Sequence, residues 1–315
     1  MSIITRRNFI KSTALLAIGL TIDDVSASTK FTGNQSINWE EIKPSQRRHW
    51  SVNETKVRTL RYFQKQGYSR VAPMSVISEV DYNGGLAYDE GAYDFEDAKA
   101  QLVLQSCSRV EDIQNKTKLG ILPIFTILAF SAAPDSDFSD PTKLLFDYLI
   151  GVVGLEPSRL KITTTELAEP LFPLFELYGV FLPQIRIRSL EEARASGDGS
   201  GYFAPKGHPN SPAYSTYSVE YVLSSKQTKY GEKTVDFDTT TNEIELAEMG
   251  VNINPGFYAG GVGLERIRMA RNDKPMYWRN YLPIFKHAVF TEAHHKHISL
   301  PPGYHEILAS LPKYS

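Results

Sequence analysis

Hydrophobic and polar positions along the chain switch repeatedly between a helical and a strand-like period. Residues 54–66 carry Val57, Leu60 and Phe63 at helical spacing, with Asn53 placed as an N-cap and Gly67 just past the end, which predicts an amphipathic helix. A turn is expected at Asn83-Gly84-Gly85, and residues 95–105 read as a helix running into a strand. The apolar run 119–130 is long for a strand and has Pro123 inside it, so it predicts a buried strand with an irregularity. Asp140 and Pro141 form an N-cap and N1 pair. They open a helix through Leu144, Leu145, Tyr148 and Leu149 that closes near Gly151 or Gly154. Residues 160–165 read as a strand, and 166–178 as a helix that Pro170 and Pro173 restrict to a first turn or kink. The Gly- and Pro-rich stretch 196–211 is the clearest loop. It leads into the alternation Tyr217, Val219, Tyr221, Leu223, a strand whose hairpin partner is expected over 234–247. Strands joined by hairpins outside strict β-α-β alternation predict one α+β domain, an antiparallel sheet flanked by helices.

The first residues carry a different pattern. Thr5-Arg6-Arg7-Asn8-Phe9-Ile10-Lys11 precedes a weakly apolar run over 13–22, and Val25-Ser26-Ala27 offers the small residues that a signal peptidase reads. This resembles a bacterial twin-arginine export signal over residues 1–27, which implies periplasmic localisation and a mature domain over 28–315. The apolar run is about half the ~20 residues that a membrane-crossing helix needs, so no stable membrane anchor is expected.

Composition removes several function classes. The 315 residues hold 34 Lys+Arg against 36 Asp+Glu, a net charge of −2, so no overall basic field points to a nucleic-acid partner. Residues 1–27 carry three basic and two acidic side chains, leaving 31 against 34 in the remainder. The single cysteine, Cys107, excludes an intrachain disulfide framework and any Cys-rich metal site, and reads as a buried small apolar residue.

Toward the C-terminus stands Gly261-Val262-Gly263-Leu264-Glu265-Arg266-Ile267, a glycine-bearing strand end passing into the helix of Ile267 and Ala270. Glycines there let backbone approach a phosphate or ring closely, and an arginine supplies a planar cation for phosphate oxygens. The string resembles motif 3 of class II aminoacyl-tRNA synthetases, specifically the alanyl branch. The run Val57 to Tyr68 resembles the opening helix of that branch, and Gln105 to Ile113 its Cys-x-Arg segment. The helix from Pro141 and the strand ending Arg159-Leu160-Lys161-Ile162-Thr163 resemble the helix and strand that come after motif 2 in the family. The resemblance implies a class II synthetase-like fold, ATP with Mg2+ as cofactors, and a homodimer through the motif 1 region. It also implies nucleotide contacts from Arg109, Gly261, Gly263, Glu265 and Arg266, and a substrate contact from Glu220. It identifies no catalytic residue, and each of these residues also fits a structural ion pair or strand-end cap.

The departures bear on chemistry. Aligned on Phe130-Ser131, the motif 2 arginine falls on Leu119 and its glutamate on Phe125, while the aspartate that holds the substrate ammonium corresponds to Ala259. Adenylate formation builds charge on the α-phosphate, and losing one donor there typically costs ~3–4 kcal/mol of transition-state stabilisation. An exported protein would also meet neither cytosolic ATP nor tRNA. No counterpart of the branch's tRNA-binding regions is found beyond residue 285, so tRNA is not an expected partner.

Five of the seven histidines, His287, His294, His295, His297 and His305, crowd into the C-terminal segment. His294, His295 and His297 are the expected metal ligands if the segment binds a divalent ion, since either an extended or a helical backbone can pair two of their imidazoles. Lys296 opposes this, and a solvated polar segment is the plainer reading. Three functions therefore stand: an exported synthetase-like domain with a residual nucleotide or small-ligand site, an active ATP-dependent aminoacyl ligase using Lys116 or Lys118 in place of Leu119, and a periplasmic metal- or ligand-binding protein.

Overall fold

The computed structural model describes residues 48–73, 75–77, 100–108, 118–122, 124–132, 139–204, 214–250, 258–277, 282–297, 299–300, 304–305 and 309. The twin-arginine segment, the Asn83-Gly84-Gly85 turn and residues 95–99 lie outside them.

Eleven strands and six α-helices are described. The strands are β1 (Ser69–Arg70), β2 (Gln101–Ser108), β3 (Ile124–Ala132), β4 (Leu160–Thr165), β5 (Ile185–Arg188), β6 (Tyr202–Phe203), β7 (Tyr214–Val222), β8 (Gln227–Tyr230), β9 (Lys233–Asp236), β10 (Glu243–Gly250) and β11 (Tyr258–Gly263). The helices are α1 (Val52–Lys65), α2 (Ser139–Phe146), α3 (Phe172–Leu177), α4 (Leu190–Ser196), α5 (Leu264–Asn272) and α6 (Leu282–Lys296). The main sheet runs β1-β2-β3-β11-β10-β7-β4-β5, with β6 attached to β7. The α+β expectation holds in its coarse form, a central sheet flanked by helices. The sheet is mixed and not purely antiparallel: β1 with β2, and β4 with β5, pair in parallel at its two ends.

Helix α1 starts earlier than the sequence suggests, because Ser51 and not Asn53 accepts from Glu54 N. Its buried face is Thr55, Thr59, Tyr62 and Phe63, while Val57 is largely exposed. Two threonines fit the interior because their hydroxyls are satisfied: Thr59 Oγ1 bonds Thr55 O at 2.7 Å and Tyr148 OH at 2.6 Å. Gly67 takes φ +90 beyond the helix end, as the C′ position favours. Strand β3 begins after Pro123, which resolves the irregularity in the long apolar run. Helix α2 passes into a π-turn over Asp147–Val152, and Gly154 comes next with φ +73. Residues 166–171 wind as a 3-10 turn before α3, with Pro173 in the first turn of α3, where its missing N–H is tolerated. The hairpin partner expected over 234–247 divides in two. Residues 233–236 belong to a separate β8–β9 ribbon, and 243–250 pair with β7.

Helices α1, α2 and α3 pack on one sheet face. Phe63 lies 4.7 Å from Phe130, Phe175 lies 5.3 Å from Tyr217, and Tyr217 OH reaches Thr142 Oγ1 at 3.0 Å. Tyr217, Val219 and Tyr221 are wholly buried there, as their alternation predicts. The opposite face carries the polar positions of β4, β7 and β10.

Candidate functional site

The register decides which side chains share the polar face. On β7 these are Thr216, Ser218 and Glu220. On β4, Thr163 pairs with Ser218 and Lys161 with Glu220; on β10, Glu245 pairs with Glu220. Strict alternation along Glu243–Gly250 would place Ala247 beside Glu243 and Glu245. A bulge between Glu245 and Ala247 shifts the phase, so Glu248 pairs with Ser218 and joins them. Three glutamates of β10 thus line one face, opposite Gly261 of β11.

Their charges are compensated unequally. Glu243 takes Lys161 and, at 3.6 Å, Arg186. Glu245 takes Arg266 Nη1 at 3.2 Å. Glu220 accepts from the neutral Thr163 hydroxyl at 2.8 Å. Burial raises the Glu220 carboxyl above its ordinary range, and the nearby Glu243 and Glu245 push it the same way.

A glycine loop covers the far end of this face. Thr216 Oγ1 donates to Gly199 O at 2.8 Å and accepts from Gly201 N at 3.0 Å. Gly199 sits at φ +85, where an added Cβ would stand 3.2 Å from the Glu248 carboxylate. Arg188 holds the loop from outside, with Nη1 2.8 and 2.9 Å from the Asp198 oxygens. Ser218 Oγ and Thr165 Oγ1 are buried here without a hydrogen-bond partner among the described residues. A buried unpaired hydroxyl typically costs ~1–3 kcal/mol, so such atoms mark where a water or ligand group is accommodated.

The motif 3-like residues fall as the sequence places them, at the strand end and first turn of α5, but each has a structural partner. Glu265 is fully buried and accepts from Thr126 N at 2.7 Å, tying α5 to β3; burial raises its carboxyl above the ordinary range. Arg266 Nε donates to Gly120 O at 2.9 Å while its Nη1 faces Glu245. A Cβ on Gly261 would come 2.7 Å from Ile127 Cδ1, so close strand packing already accounts for that glycine; one on Gly263 would meet only Arg266, at 3.6 Å. The structure therefore links Glu220 to Arg266 through Glu245. Sequence reasoning missed Glu243, Glu245, Glu248, Thr163 and Ser218; the alternating glutamates from Glu243 were the available signal. Arg109 and Lys116 lie outside the described residues.

Among the described residues, this face gives a triphosphate poor electrostatic support. Leu119 is buried, Lys118 is exposed, and Arg266 is already held by a carbonyl and a carboxylate. The surrounding glutamates would repel further negative charge.

His294, His295 and His297 sit at the end of α6 and just beyond it, all exposed, with the ring of His294 6.0 Å from that of His295 and 6.5 Å from that of His297. Among the described residues no three His, Cys, Asp or Glu side chains converge as a metal site. Glu292 on this helix accepts from Ser75 Oγ, and its Oε2 accepts from Val76 N at 2.9 Å. No described helix is long and apolar enough to cross a membrane.

Compared with known proteins, the chain matches no family model and no curated protein.

Proposed function

We propose that the protein is an exported, stand-alone class II synthetase-like domain of the alanyl branch. It keeps a small-ligand site on the polar sheet face and has lost ordinary adenylation and tRNA aminoacylation. One observation carries the reading: Arg266, the residue that resembles the family's ATP arginine, is occupied by Gly120 O and Glu245, beside a buried leucine at the motif 2 arginine position. The strand-to-helix passage of β11 into α5 supports the kinship, and the Arg6-Arg7 signal supports the periplasm.

Isotope exchange between pyrophosphate and ATP, run with each amino acid in turn, tests the chemistry. No exchange is expected; exchange with any amino acid that Arg266→Ala abolishes overturns the proposal in favour of an active ligase. Export is tested by fusing residues 1–40 to a reporter active only outside the cytoplasm. Activity lost in Arg6→Lys/Arg7→Lys is expected, and a reporter silent with the native pair removes the periplasmic assignment.

A further inference from the structure

Charge compensation on the polar sheet face leaves one carboxyl and two hydroxyls over. Lys161 and Arg186 both go to Glu243, and Arg266 goes to Glu245. Glu220 has no cation within ion-pair distance among the described residues and holds only the Thr163 hydroxyl, at 2.8 Å. Burial first, and then Glu243 and Glu245, raise its carboxyl, which the Thr163 bond and Arg186 offset only in part. Two residues back on β7, Ser218 shares this face, between Thr163 of β4 and Glu248 of β10. Ser218 is wholly buried, and its Oγ has no hydrogen-bond partner among the described residues. Thr165, two residues on from Thr163, is buried to the same degree with its Oγ1 equally unpaired. Paired glutamates alone would make an ordinary charged surface. Buried hydroxyls left open among them would not, because each bears its desolvation cost until a partner arrives.

We propose, resting on the small-ligand site already assigned to this face, that its occupant is a short primary amine bearing a hydroxyl and carrying no carboxylate or phosphate. Its ammonium lies against Glu220 and its hydroxyl on Ser218. The sign of the charge follows from the pairing: Lys161, Arg186 and Arg266 are committed to glutamates, so an anionic group finds no uncommitted cation among them, while Glu220 lacks one. The hydroxyl follows from Ser218, whose Oγ can both donate and accept and does neither within the protein. The length follows from the strand, since alternate residues on one face stand about 7 Å apart. The longer glutamate side chain narrows that gap, and a chain of about two carbons between nitrogen and oxygen bridges it. An α-amino acid brings a carboxylate to the same glutamates, and Ala259 stands where the class II resemblance would put the aspartate for its ammonium. The ligand class therefore differs from the one that the resemblance implies.

Isothermal titration of the full chain with ethanolamine, ethylamine and glycine tests the proposal, at the millimolar concentrations open to ligands of so few atoms. Ethanolamine is expected to bind most tightly. Ethylamine, which lacks the hydroxyl, should bind about fivefold more weakly, and glycine, the same skeleton with a carboxylate, more than about tenfold more weakly. That ranking needs no variant. Glu220→Gln keeps the size of the side chain and an acceptor for Thr163, and should weaken ethanolamine about tenfold or more. Ser218→Ala should bring ethanolamine down to the level of ethylamine, leave ethylamine unchanged, and leave the urea midpoint no lower, since no hydrogen bond within the protein is lost. The proposal is overturned if ethanolamine does not bind, if glycine or ethylamine matches it, or if either substitution leaves its affinity as in the wild type. Any of these results with pyrophosphate exchange still absent leaves the loss of adenylation standing. Exchange that Arg266→Ala abolishes removes that reading whatever ethanolamine does.

Discussion

Glu265 offers the sharpest test of how the strand end of β11 is joined to α5. Its carboxylate is fully buried and takes the Thr126 N–H at 2.7 Å. Glu265→Ala strands that amide, a loss of ~1–3 kcal/mol, and removes a buried methylene worth about 0.8 kcal/mol before any cavity cost. The expected total is about 2–4 kcal/mol. Glu265→Gln keeps an oxygen acceptor for Thr126 and removes a charge whose burial is unfavourable, so it should cost about 1 kcal/mol or less near neutral pH. The pH dependence fixes the sign. Because burial raises the folded carboxyl above its unfolded value, the group stabilises the fold fully below the unfolded pKa, and that contribution is lost as pH rises through the folded pKa. The advantage of wild type over Glu265→Gln should therefore shrink as pH rises from below the unfolded carboxyl value through the raised folded one. Urea unfolding monitored by tryptophan fluorescence measures it. A gap that widens with pH, or a Gln variant as damaged as the Ala variant, refutes the reasoning.

The same contacts set other outcomes. Gly260→Ala should lower the urea midpoint more than Gly261→Ala. The Cβ at 260 meets Glu248 O at 2.9 Å, which is backbone, whereas the one at 261 meets the rotatable end of Ile127. Arg266→Lys should fail to restore the stability lost in Arg266→Ala, a loss of about 1.5–3 kcal/mol for a charged hydrogen bond, because an ammonium cannot serve Gly120 O and Glu245 as the planar fork does. Asp273 ends α5 at φ 48 and its carboxyl is lowered: burial alone would raise it, but the bonds from Arg159 and Ser224 outweigh that. Its stabilisation is present above the unfolded pKa and lost as pH falls through the folded one, so Asp273→Asn, which tolerates that backbone, should show a flatter acid-unfolding curve than wild type.

Much of the fold is readable locally. The alternation at Tyr217, Val219 and Tyr221 identifies a strand with one buried side, and Leu160–Thr165 matches its expected bounds, because a strand's period is written in adjacent residues. The glycine-bearing passage from β11 to α5 is equally local. Periodicity misjudges the face of α1, because its buried positions include threonines satisfied through their own helix and through Tyr148, a partner 89 residues away.

The sequence by itself therefore determined most of the described element types and the residues that could carry chemistry. The tertiary structure alone decided their meeting. A bulge in β10 turns Glu248 toward Ser218, the β7–β10 register sets Glu245 beside Glu220, and the fold brings Arg266 onto Glu245 and Gly120 O. Register and bulges depend on pairing between distant segments, where a shift of one residue reverses every side chain, and that pairing is settled only when the whole sheet packs.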